Sequence, residues 1–121
     1  MLNCLCVGFG GFIGSVLRYL IGLVEFKEVM VFPIKTLAVN VIGSFCIALV
    51  VALGMKNQSL DPRVVLFLKV GICGGFTTFS TFAFESVQLF QGDRPGFAVA
   101  YIVLSVVLSL AAILFAQAII K

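Results

Sequence analysis

Polar atoms recur inside apolar runs of this sequence at spacings that could do chemistry. Thr36, Asn40 and Ser44 stand four residues apart, as do Tyr101, Ser105 and Ser109. On a helix each trio forms one stripe. A lone Ser or Thr can bond the preceding turn of its own helix, but Asn40 carries two N–H donors that its own helix cannot fully satisfy. Between these stripes runs "GGFTTFSTF", Gly74 to Phe82, with two glycines, three threonines, a serine and three phenylalanines. Adjacent Gly74 and Gly75, followed by Thr77 and Thr78, weaken a helical ladder. Unwound backbone at membrane depth survives only when buried in protein or lining a cavity, and it frees carbonyl oxygens, the usual ligands of a hard cation such as Na⁺. Phe79 and Phe82 then share a face. A phenyl ring has a positive edge, so ring edges can meet an anion without a fixed charge that would trap it. The alternative is that the rings are lipid-facing bulk and the glycines a packing notch.

Charged groups within the spans are few. Arg18, near the end of the first apolar segment, either snorkels to the interface or raises the local concentration of anions at a mouth. Lys35 and Lys69 lie near helix starts and read as interfacial. Glu85 is the only carboxylate inside a span and is placed to face a water-filled entry.

These side chains must be positioned by membrane helices. The chain has 121 residues, 62% hydrophobic and only 11% charged, more apolar surface than a soluble domain of this size can bury. With no histidine, imidazole metal chemistry and Ser-His or Cys-His nucleophile pairs are excluded. Cys4, Cys6, Cys46 and Cys73 form no CxxC pair and read as small packing residues. The net charge of +3 is scattered, with no basic run to suggest nucleic acid. The first apolar stretch lacks the basic flank and cleavage site of a signal peptide and is expected to be retained.

Four segments approach the ~20 residues needed to cross a bilayer. They are expected over about 2–24, 31–55, 63–90 and 96–120, as a single four-helix transmembrane domain covering 1–121, with the third helix broken near its middle. Pro33 stands at the start of the second, where a missing N–H does no harm. The connections are short and polar, so neighbouring helices run antiparallel and both termini share a side. The N-terminus, Lys56, Arg63, Lys69 and Lys121 oppose Lys27, Lys35 and Arg94. That thin positive bias fits either a weak single orientation or dual topology. Gly10 and Gly14, like Gly71 and Gly75, form GxxxG pairs, which suggest helix association and a homo-oligomer. With dual insertion the simplest is an antiparallel dimer.

Three blocks, "GGFIGSVLRY" (Gly10 to Tyr19), "TLAVNVIGSF" (Thr36 to Phe45) and "GICGGFTTFSTF" (Gly71 to Phe82), resemble the Fluc/CrcB family of fluoride channels in order and along essentially the whole chain. The resemblance implies an all-α membrane protein: an antiparallel, dual-topology homodimer with two pores in the cell (inner) membrane, conducting fluoride passively and relieving its toxicity. Hydrogen fluoride crosses membranes when neutral and dissociates in a less acidic cell, and a fluoride leak lets the membrane potential drive the anion out. It further implies that Phe79 and Phe82 contact fluoride beside Asn40, and that Gly74 and Thr77 offer backbone carbonyls to a structural Na⁺ at the dimer interface. Arg18, Thr36 and Glu85 fall near the vestibule, and Ser80, Thr81, Tyr101, Ser105 and Ser109 fit the polar track. Lys35 and Ser15 depart from the pattern, where glycine and alanine are common. The rival class is a small multidrug-resistance-type proton-coupled exporter, which needs a membrane-embedded carboxylate. The first helix instead holds Arg18, and Glu85 lies near a helix end. A third class is an assembly subunit that conducts nothing.

Overall fold

The computed structural model describes residues 1–26 and 31–120. Lys27 and Lys121, counted above in the charge bias, lie outside the described residues. Helix α1 spans Leu2–Gly22 and α2 spans Ile34–Lys56. The third span contains α3 (Pro62–Leu66), a π-helical stretch (Phe67–Cys73), α4 (Gly74–Phe76) and α5 (Phe79–Gln91), and α6 covers Pro95–Ile120. The four spans are long and apolar enough to cross a membrane. α2 packs along α6, and α1 packs along the π-helical stretch and α4.

The helix ends follow local chemistry. α1 ends at Gly22, two residues before the expected boundary, because Leu23 and Val24 N–H groups donate to the carbonyls three residues back, Leu20 and Ile21 (both 3.1 Å). Such tighter bonds close many helix ends. α2 begins at Ile34, not Val31. Pro33 takes φ −79° and ψ 69° outside the helix, which frees Phe32 to set its ring edge-on to Tyr101 and Phe97, with centroids 5.6 and 6.4 Å away. α3 opens on Pro62 because the Asp61 side chain caps the Arg63 N–H at 2.9 Å, the position where both residue types are favoured. Leu37, Leu89, Ala98 and Tyr101 form a buried core, with Phe32, Val41 and Phe82 packed against it.

The GxxxG pairs meet within one chain. A Cβ built on Gly10 would lie 2.5 Å from the Phe67 carbonyl oxygen and 2.7 Å from the Gly71 Cα. One on Gly75 would lie 2.7 Å from the Gly11 carbonyl oxygen, and one on Gly14 would overlap backbone atoms of Ile72 and Phe76. These glycines let α1 touch the third span backbone to backbone, so the homo-oligomer drawn from them above loses that support. Gly14→Val is expected to destabilise the fold by about 3 kcal/mol or more, since the opposing atoms are backbone and cannot swing aside. Thermal unfolding in detergent would show this, and an unchanged transition would remove the close approach.

Candidate functional site

Between α4 and α5 the chain leaves the helix for two residues. Thr77 takes φ −80°, ψ 157° and Thr78 φ −149°, ψ 123°. Extended backbone exposes polar groups that need partners, and Asn40 supplies them. Thr78 N–H donates to Asn40 Oδ1 at 2.8 Å, and Asn40 Nδ2 donates to the Thr78 carbonyl at 3.0 Å. The two bonds fix which end of the amide points which way. Arg18 Nε donates to the Gly75 carbonyl at 3.3 Å. Thr78 Oγ1 then caps the restarting helix by accepting from Thr81 N–H at 3.2 Å.

Two cavities flank this clamp, and Thr78 lines both. The first, about 440 Å³, reaches towards the Gly22 end of α1 and is bordered by Arg18, Lys35, Thr36 and Thr81. The second, about 410 Å³, is bordered by Asn40, Ser44, Phe79, Phe82, Ser105 and Ser109. The Phe79 and Phe82 rings lie 5.8 Å apart, and Phe82 lies 5.2 Å from Tyr101. Ser105 Oγ is buried and has no hydrogen-bond partner among the described residues, which is costly unless something visits it. The Tyr101 hydroxyl donates to Glu85 Oε1 at 3.2 Å, tying the fourth span to the third behind Phe82.

Not every expected residue joins the cavities. Ser80 and Gly74 are exposed and line neither of the two. Thr81 borders the Arg18 cavity and not the phenylalanine cavity. Ser44 bonds its own helix, donating to the Asn40 carbonyl at 2.7 Å. Thr77 does likewise, with its hydroxyl on the Cys73 carbonyl at 3.0 Å. Thr78 was missed as a site residue. A threonine three residues before Thr81, at the point where the apolar helix resumes, was the available signal for a cap.

The family model for CrcB-like protein, Camphor Resistance (CrcB), matches residues 5–117. The chain belongs to this CrcB family. Relatives of this CrcB chain include a protein of Ruminiclostridium cellulolyticum, 44% identical over 100% of the chain and 94% of the relative. One from Azobacteroides pseudotrichonymphae is 42% identical over 89% of the chain and 87% of the relative. One from Agrobacterium fabrum is 44% identical over 93% and 91%. Each relative is named a fluoride-specific ion channel, FluC. With its four apolar spans, this CrcB member is a multi-pass membrane protein, and its family is one of ion channels rather than enzymes.

Proposed function

We propose that this CrcB chain is a passive, fluoride-selective channel of the cell (inner) membrane that relieves fluoride toxicity. The observation that carries the reading is Ser105 Oγ, buried without a partner among the described residues on a cavity shared with Asn40, Phe79 and Phe82. A small, strongly hydrated anion must exchange water for donors as it passes. Fluoride enters beside Arg18 and Thr36 and crosses at the second N–H of Asn40, which no group among the described residues accepts. It then meets the ring edges of Phe79 and Phe82 and the hydroxyls of Ser105 and Ser109. Thr81 lines the entry side. Tyr101 and Glu85 brace each other beside Phe82, and Ser80 belongs to the track only at its exposed edge.

Ser105→Ala tests this. An unpaired buried hydroxyl costs about 1–3 kcal/mol, so its removal is expected to leave stability unchanged or raised. Fluoride flux is expected to fall severalfold. Unchanged flux, or lost stability, would make Ser105 a packing residue.

The assembly proposed is an antiparallel, dual-topology homodimer with two pores. In its favour, Phe79 is 79% exposed in the single chain, beside exposed Ser80 and Gly74. One wall of the phenylalanine cavity therefore awaits cover. A structural Na⁺ between the copies fits the backbone. The N–H groups that would normally serve the Gly74 and Thr77 carbonyls, four residues on, are committed elsewhere: Thr78 to Asn40 and Thr81 to Thr78 Oγ1. Two carbonyls without their helical donors are suitable ligands for a hard cation, and Gly74 and Thr77 would hold it. Bound there, Na⁺ would supply positive charge that steadies the extended segment.

A further inference from the structure

We infer that Lys35 is a second anion-gathering cation on the entry cavity, one step further out than Arg18, and that it makes fluoride entry in this chain sensitive to ionic strength. This rests on the fluoride-channel reading. Lys35 lies in the first turn of α2. Its Nζ donates to the Gly22 carbonyl at 3.0 Å and stands 5.8 Å from the Phe26 ring centroid. Those contacts fasten the ammonium group to the end of α1. Arg18 lies four residues before Gly22 on the same helix, so the Gly22 carbonyl sits about 6 Å along the axis from the Arg18 position. Both cations line one cavity, together with the hydroxyls of Ser15, Thr36 and Thr81. No carboxylate lines it among the described residues. Glu25, on the segment after α1, is exposed and outside the lining. An anion moving from the Gly22 end towards Thr78 therefore passes Lys35 and then Arg18.

A unit charge about 6 Å from an ion in water raises the local concentration of that ion about threefold. Salt removes the effect once the screening length falls below the separation. Tyr19 lines the same cavity and is 66% exposed, whereas Tyr101 is fully buried. Iodide quenching of tyrosine emission in uncharged detergent therefore reads the anion concentration at this mouth without requiring conduction. At low ionic strength the quenching constant of Lys35→Gln is expected to be about threefold below that of the unmodified chain, converging with it at high salt. Lys35→Arg should match the unmodified chain, and acrylamide, a neutral quencher, should not distinguish the three. Glutamine can still donate to the Gly22 carbonyl, so a capping role alone would leave iodide quenching unchanged. That result, or an equal loss at both salt concentrations, would overturn the inference. Fluoride flux from liposomes, measured on the same proteins, should show the same salt-dependent gap. If the unmodified chain conducts no fluoride while the iodide gap persists, the channel reading fails and the anion-gathering role of Lys35 stands.

Discussion

Asn40→Asp is expected to cut fluoride flux on the order of a thousandfold. The amide now offers Thr78 an acceptor and a donor at once, at 2.8 and 3.0 Å. A carboxylate keeps the acceptor, loses both N–H groups and adds negative charge on the second cavity, beside the Thr78 that lines both. A charge about 4 Å from a passing anion opposes it by roughly 4 kcal/mol at an effective dielectric constant of 20, about three tenfold steps in rate. The Thr78 carbonyl also loses its donor, at a further cost of about 1–3 kcal/mol. Stability and flux should therefore both be measured. Asn40→Ser separates them, because it loses the clamp without adding charge and should retain more flux than the aspartate. Equal flux in the aspartate variant and the unmodified chain, in folded protein, would remove Asn40 from the ion path.

Phe82→Ile is expected to lower flux about tenfold with assembly intact. The Phe82 ring borders the second cavity and packs against both Phe79 and Tyr101, at 5.8 and 5.2 Å between centroids. Isoleucine restores most of the apolar volume, so packing losses should be modest. It has no ring edge to turn towards an anion. An edge-to-face aromatic pair is worth about 0.5–1.5 kcal/mol; a ring-edge contact with the anion at the upper end of that range, about 1.4 kcal/mol, corresponds to a factor of ten. Flux equal to that of the unmodified chain would return the ring to a packing role between Phe79 and the buried Tyr101.

Much of the architecture was legible because membrane spans announce themselves by composition. The four apolar segments were readable as four helical spans long enough to cross a membrane, and where their helices end has local causes. Pro33 could be seen near the start of α2, but not that Phe32 would leave the helix to pack on Tyr101, since that depends on a partner some seventy positions away. The glycine pairs were legible as a close approach and misread as to partner. A GxxxG spacing states that a backbone comes near and is silent about which helix arrives. Here Gly10 and Gly14 face Gly71, Ile72 and Phe76 of the same chain.

The stripes fared differently from one another. Asn40 stood out because its amide exceeds what one helix can satisfy, and it reaches across to Thr78. Ser44 sits on the same stripe and bonds its own helix. Ser105 is buried with its hydroxyl unpaired among the described residues. Spacing alone could not separate those two serines, because the difference lies in what the neighbouring spans bring opposite each hydroxyl. Ser80 lies beside the rings in sequence yet faces outward, since the helix restarting at Phe79 turns it away from Phe82.

The most direct measurement is anion release from liposomes containing the purified chain, followed with a fluoride electrode and, in a parallel preparation, a chloride electrode. Rapid fluoride release with chloride retained is expected, with the vesicle potential held open by a potassium carrier. Retention of both anions by folded protein, or release of chloride as fast as fluoride, would contradict a fluoride-selective channel.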